Sequence, residues 1–193
     1  MISLSISLGE RHKELLSALA HIPGGANKAV ARAINRAVEG ARTDAIKAIC
    51  EEYAIKPVDV RKSIHIVRAT YQKLEAQIIS TGGPLPLIQF RVNPKSTRTK
   101  RRVRAGVKFG NQITLPHAFI QKMSNGHIGV FQRHTDGETG KMVPRMPIKQ
   151  LYAPSFPQML GNKEVLKYIE MKAHYRLDKE LRHQINYLFG GGR

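Results

Sequence analysis

Apolar and polar residues alternate from Ile2 to Leu8, with Ile2, Leu4, Ile6 and Leu8 on one side and serines on the other. That is the period of a half-buried strand. Glu10 to Ala20 reads as a short helix, stopped by the breaker Pro23-Gly24-Gly25. From Asn27, a capping residue type, to Tyr53 the period becomes helical: Val30, Ile34, Ala37/Val38, Ala41, Ala45, Ile49 and Tyr53 recur every three or four residues. The run predicts a helix about 39 Å long, with an alanine-rich face suited to close packing. Pro57 fits the first position of a short helix, Pro57 to Lys62.

Strand patterns follow at Ile64 to Arg68 and Tyr71 to Ser80, terminated by Gly82-Gly83-Pro84, and again at Ile88 to Val92. Val103, Ala105, Val107 and Phe109 resume the alternation. The segment AFIQKMSNGHIGVFQR predicts a hairpin around Asn125-Gly126, two residues that tolerate positive φ. Asp136 to Gly140 reads as a turn, and the four prolines between 144 and 157 predict an extended surface segment. Asn162 caps a final helix to about Phe189, with Leu166, Ile169, Ala173, Leu177, Leu181, Ile185 and Leu188 as its stripe. The expected fold class is α+β: a long helix in the N-terminal half packed on an antiparallel sheet of about five strands, with a long basic hairpin loop, and a C-terminal helix. Residues 1–161 form the main domain with its loop at 93–104. Residues 162–193 form a helix packed on that domain or used for subunit contacts.

Charge changes the picture. The 193 residues carry a formal charge of +18, and such an imbalance implies an anionic partner. It is also concentrated: residues 93–150 hold 12 Lys+Arg against 2 Asp+Glu. Within NPKSTRTKRRVRAG the cations are Lys95, Arg98, Lys100, Arg101, Arg102 and Arg104, with no acid among them. Pro94, serine, threonine and glycine argue for a loop, carried on strands going out at Arg91 to Asn93 and returning from Val103. A solvated loop is the plain reading. A loop facing backbone phosphates, or an acidic protein surface, accounts better for the missing counter-charges, and phosphate contacts carry little sequence specificity. Aromatic interleaving is absent from the run, which favours duplex DNA over stacked single strands.

Catalytic patterns are lacking. No GxSxG, P-loop or GxGxxG occurs, and the adjacent Glu51 and Glu52 point about 100° apart on a helix, unsuited to sharing a metal. The histidines, including His117, His127 and His134 near the hairpin, show no metal-ligand spacing. Cys50 lies among Ile46, Ile49 and Tyr53 and reads as a small buried apolar residue. No catalytic residue, metal ligand or cofactor is expected. The lone cysteine, a serine-alternating N-terminus without a signal-peptide pattern and the lack of an apolar run of about 18 residues point to a protein made and used in a reducing compartment, or assembled there, without membrane association.

Five segments in order, KAVARAINRAVEGARTDAIKAI, YAIKPVDVRKSIHIVRAT, STGGPLPLIQF, AFIQKMSNGHIGVFQR and MPIKQLYAPSFPQM, resemble the minor tail protein Z, or tail completion protein, family of lambda-like phages and prophages. The resemblance runs from about Ala29 to Met159. It implies a structural virion protein of the neck or upper tail rather than an enzyme. Its implied roles are tail completion, head–tail joining and positioning of the DNA end. Implied partners are other tail or neck proteins (terminator, connector or tube), packaged double-stranded DNA and further copies of the chain in a ring, assembled in the host cytoplasm. Tyr152, Phe156, Asn125 and Gly126 are candidate interface residues, while Phe119 and Phe131 read as a cross-strand pair. The alternative is a stand-alone, non-sequence-specific DNA- or RNA-binding protein.

Overall fold

A computed structural model describes residues 1–7, 25–97, 101–133 and 148–189. The expected helix at Glu10–Ala20 and turn at Asp136–Gly140 lie outside these residues. The described chain is α+β. Two long helices accompany eleven strands in four small antiparallel sheets, where the periodicity predicts about five strands in one sheet. Strands of two and three residues are too short to leave a period of their own, and this accounts for the difference. The contacts divide the chain into two compact units: Met1–Ile49 with Val60–Gly82 and Pro157–Arg193, and Cys50–Asp59 with Gly83–Phe156.

In the first unit, β1 (Ile2–Ser7), β2 (Ile64–Val67) and β3 (Glu75–Ser80) form a sheet in the order β1-β3-β2. Both Ile2 and Ile64 stand opposite Ser80. Ala76, Ile78 and Ser80 of the central strand point inward and are fully buried, the alternation expected of a sheet with one covered face. The long helix α1 (Gly25–Glu52) buries Val30, Ile34, Ala37, Val38, Ala41, Ala45 and Ile49, the stripe its sequence predicts. Ala29, Ala31, Ala33 and Ala48 widen that buried face. After α2 (Pro57–Ser63) the chain enters β2 directly. Asn35 on α1 pairs with the peptide of Ala69, its Nδ2 donating to the carbonyl at 3.0 Å and its Oδ1 accepting the N–H at 2.8 Å. A side-chain amide thus completes backbone bonding that no strand partner supplies.

The short helix α3 (Phe156–Leu160) buries Met159 and Leu160 and leads into α4 (Lys163–Phe189). Asn162 caps α4 by accepting the Glu164 N–H at 3.1 Å. Val165, Ile169, Ala173, Leu177, Leu181 and Gln184 form the buried line, while Leu166 and Ile185 are half-buried. Arg36–Glu180 and Asp44–Arg176 ion pairs show that α1 and α4 run antiparallel. Between them Gly40 lies under the Arg176 side chain: a Cβ there would stand 2.6 Å from Arg176 Cδ. Arg176 reaches past it to grip Asp44 with two bonds of 2.9 Å.

In the second unit β4 (Leu85–Pro86) pairs with β11 (Tyr152–Ala153), and a 3₁₀ turn at Leu87–Gln89 precedes β5 (Arg91–Asn93). This turn takes the first half of the strand expected at Ile88 to Val92. Strands β5, β6 (Arg104–Gly106) and β7 (Ile113–Thr114) form one meander. Strands β8 (Ala118–Lys122), β9 (Ile128–Arg133) and β10 (Ile148–Gln150) form another. Leu151 ties two of the sheets together, donating to the Val130 carbonyl at 2.8 Å and accepting from the Leu87 N–H at 3.1 Å. The alternation from Val103 to Phe109 ends early. Lys108 bridges to Tyr53 and the Phe109 N–H bonds the Glu52 carbonyl at 3.1 Å, which leaves the Phe109 ring exposed.

Candidate nucleic-acid interface

The basic run sits on a hairpin. Arg91 pairs with Gly106, Val92 with Ala105 and Asn93 with Arg104, as the flanking strands predict. Val92, Val103 and Ala105 are buried beneath it, anchoring the ends of the loop, while the described polar residues between Val92 and Val103 are exposed. Lys95, Arg101, Arg102 and Arg104 are exposed; Arg98 and Lys100 lie outside the described residues. None of the four is in an ion pair among the described residues. The sequence explains this: no Asp or Glu occurs between Glu75 and Asp136, a stretch with ten Lys+Arg.

A second strip of polypeptide is joined to the base of this hairpin. Arg104 pairs with Thr114 across β6 and β7, and the Leu115 N–H bonds the Val103 carbonyl at 2.8 Å. The chain then turns at Pro116-His117, where His117 adopts φ 56°, a region that bulkier side chains rarely enter. Gln132 Nε2 donates to the Pro116 carbonyl at 2.9 Å, and the Arg133 N–H reaches the His117 carbonyl at 3.5 Å. A groove of about 770 Å³ lies along this seam, with Arg101, Arg102, His117, Phe119 and Arg133 on its walls. A smaller concavity of about 300 Å³ shares Arg101 and Arg102 and adds Asn93, Pro94 and Arg104. Arg133 lies over the Phe119 ring, 5.5 Å from its centroid. Sequence reasoning missed Arg133 because a single arginine at a strand end has no distinguishing spacing. The long acid-free interval was the available signal.

Of the other singled-out residues, His117 and Phe119 are on the groove walls, whereas Asn125, Gly126, Tyr152 and Phe156 line neither concavity. Asn125 and Gly126 occupy an exposed turn, with Gly126 at φ 84° and the His127 N–H bonded to Asn125 Oδ1 at 3.0 Å. The connection is five residues long, Met123 to His127, closed by the Met123 N–H to His127 carbonyl bond of 2.8 Å. Phe119 and Phe131 stand opposite each other with ring centroids 6.1 Å apart. Tyr152 is exposed, whereas Phe156 is buried as the first residue of α3. Cys50 is half-buried, and that burial pushes its thiol pKa up, which disfavours the reactive thiolate. Among the described residues no group of three His, Cys, Asp or Glu side chains converges to hold a metal. No described helix is long and apolar enough to cross a membrane.

Fold and surface together define a class: an α+β protein with a hairpin whose described cations, Lys95, Arg101, Arg102 and Arg104, are exposed and without ion-pair partners among the described residues. Residues 12–189 match the family model for prophage minor tail protein Z (GPZ), and the chain belongs to that family. It is therefore a structural phage tail protein, and its place is the virion. No curated protein and no solved structure matches the chain.

Proposed function

We propose that this protein acts in the neck or upper tail, where it completes the tail, joins it to the head and positions the end of the packaged double-stranded DNA. The observation that carries the DNA part is the β5–β6 hairpin, whose exposed cations have no acidic neighbours in sequence and no ion-pair partners among the described residues. Several copies in a ring would place these hairpins around one channel, where their fields add. A lining that meets phosphates without reading bases holds a DNA end and still releases it. Partners in this reading are terminator, connector or tube proteins. Contacts with them or between copies fall on Tyr152, the Asn125-Gly126 turn and the outer face of α4, where Met171, Tyr175 and Tyr187 are exposed.

Electron microscopy and infectivity of particles made without this gene test the proposal. Unjoined heads and tails, or complete particles that do not infect, are expected. Normal infectious particles would refute the role and leave a stand-alone nucleic-acid-binding protein as the reading of the hairpin.

A further inference from the structure

We propose that the phosphate-binding surface is the groove between the hairpin base and the β8–β9 sheet, with Arg133 contacting the same DNA backbone as Arg101 and Arg102. The inference rests on the DNA reading above and deepens it by moving the contact from the loop tip to a built groove. Three observations carry it. First, the groove and the adjoining concavity share Arg101 and Arg102, so the cations form a continuous strip from Arg104 through that pair to Arg133. A strip of this kind matches the regular charge array of a nucleic-acid backbone. Second, among the described residues no acidic side chain lines either concavity, and Arg101, Arg102, Arg104 and Arg133 have no ion-pair partner. Their guanidinium groups offer the planar donor forks that fit phosphate oxygens. Third, the walls are held before any ligand arrives by the Leu115–Val103, Gln132–Pro116 and Arg133–His117 bonds. Preorganised cations lose less conformational freedom on binding than cations on a free tip. The Phe119 ring is already engaged by Phe131 and Arg133, so backbone contact rather than base stacking is the mode, and duplex DNA is the ligand.

The test is a salt titration of binding to a fluorescent 20-base-pair duplex, with Arg133→Gln compared against Lys122→Gln. Lys122 is an exposed cation of the same sheet that lines neither concavity, so both variants lose one charge. Loss of one phosphate contact lowers the slope of log K against log salt by about 0.9, equivalent to about eightfold weaker binding at 0.1 M salt. Arg133→Gln is expected to show this change and Lys122→Gln is not. Circular dichroism melts establish that both variants are folded, and Arg133→Lys, which keeps the charge, should recover most of the slope. Equal effects of the two glutamine variants would overturn the groove in favour of net charge. A slope that falls on replacing Arg101, Arg102 and Arg104 with Ser, but not for Arg133→Gln, would overturn the groove and leave the hairpin reading intact. Failure of the wild-type protein to bind duplex would remove the DNA reading itself. Equal competition by polyglutamate at matched charge would assign the groove to an acidic protein.

Discussion

Replacing Arg176 with Met tests the two-bond ion pair between the two long helices. Arg176 donates from Nε and Nη2 to the two oxygens of Asp44, each at 2.9 Å. The two side chains are unequally exposed, 42% for Arg176 and 10% for Asp44. The hydrogen bonds to Asp44 raise the pKa of the guanidinium further above its ordinary value, so it is the charged form that is held. Breaking a fully buried pair costs about 3–5 kcal/mol, while an exposed pair is worth about 0.2–1 kcal/mol. Here water reaches the guanidinium side but hardly the carboxylate that would be left alone. A cost of about 2 kcal/mol follows, intermediate between those limits. Methionine retains an unbranched stem over Gly40, so packing is largely preserved and the loss reports the ion pair. For a chain of this size about 2 kcal/mol lowers the melting temperature by about 4–8 °C. Urea unfolding of wild type, Arg176→Met, Asp44→Asn and the double variant gives the coupling energy directly. The double variant should be more stable than the sum of the single losses implies. A loss for Arg176→Met below about 0.5 kcal/mol, with no coupling, would show that the pair behaves as an ordinary surface contact and refute the reasoning.

Gly40→Ala should not deliver the helix-propensity gain of about 1 kcal/mol expected at an open helical site, because its Cβ meets Arg176 Cδ at 2.6 Å. In an Arg176→Ala background the same change should stabilise, and thermal melts of the four proteins decide it. Asn35→Leu should cost about 2–3 kcal/mol by leaving the buried Ala69 N–H and carbonyl without their partners; chemical denaturation measures it, and a loss under about 1 kcal/mol would mean that water replaces the amide. Cys50 should react with a disulfide reagent at pH 7.5 more slowly in the folded protein than in urea, since burial raises its pKa. Equal rates would place the thiol in open solvent.

The residues themselves determine a good deal of this protein. The apolar stripe from Val30 to Ile49 specifies α1 because seven residues repeating at helical spacing bury together in no other conformation. Asn162 and the stripe after it do the same for α4, although the buried line passes through Val165 and Gln184 rather than Leu166 and Ile185. Neighbouring helices and sheets select which edge of a broad stripe is covered, and periodicity does not encode that choice. The alternating start at Ile2, the hairpin at Asn125-Gly126 and the paired flanks of the basic run were legible for a similar reason: each is a local pattern of side-chain alternation or turn chemistry. The family was legible too, because its segments recur in order along the chain.

Tertiary structure alone decided three things. It divided the strands among four small sheets, since pairings such as Tyr152 with Pro86 join residues far apart in sequence through strands too short to carry a period. It set Asn35 against Ala69 and Arg176 against Asp44, where a polar side chain completes a bond offered by a distant segment. It also brought Arg133 and His117 to the groove walled by Arg101 and Arg102. Composition along a chain records how much charge is present and where it starts and stops. Which cations share one surface depends on the hydrogen bonds that fold β8 and β9 against the base of the hairpin, and those bonds exist only in the folded molecule.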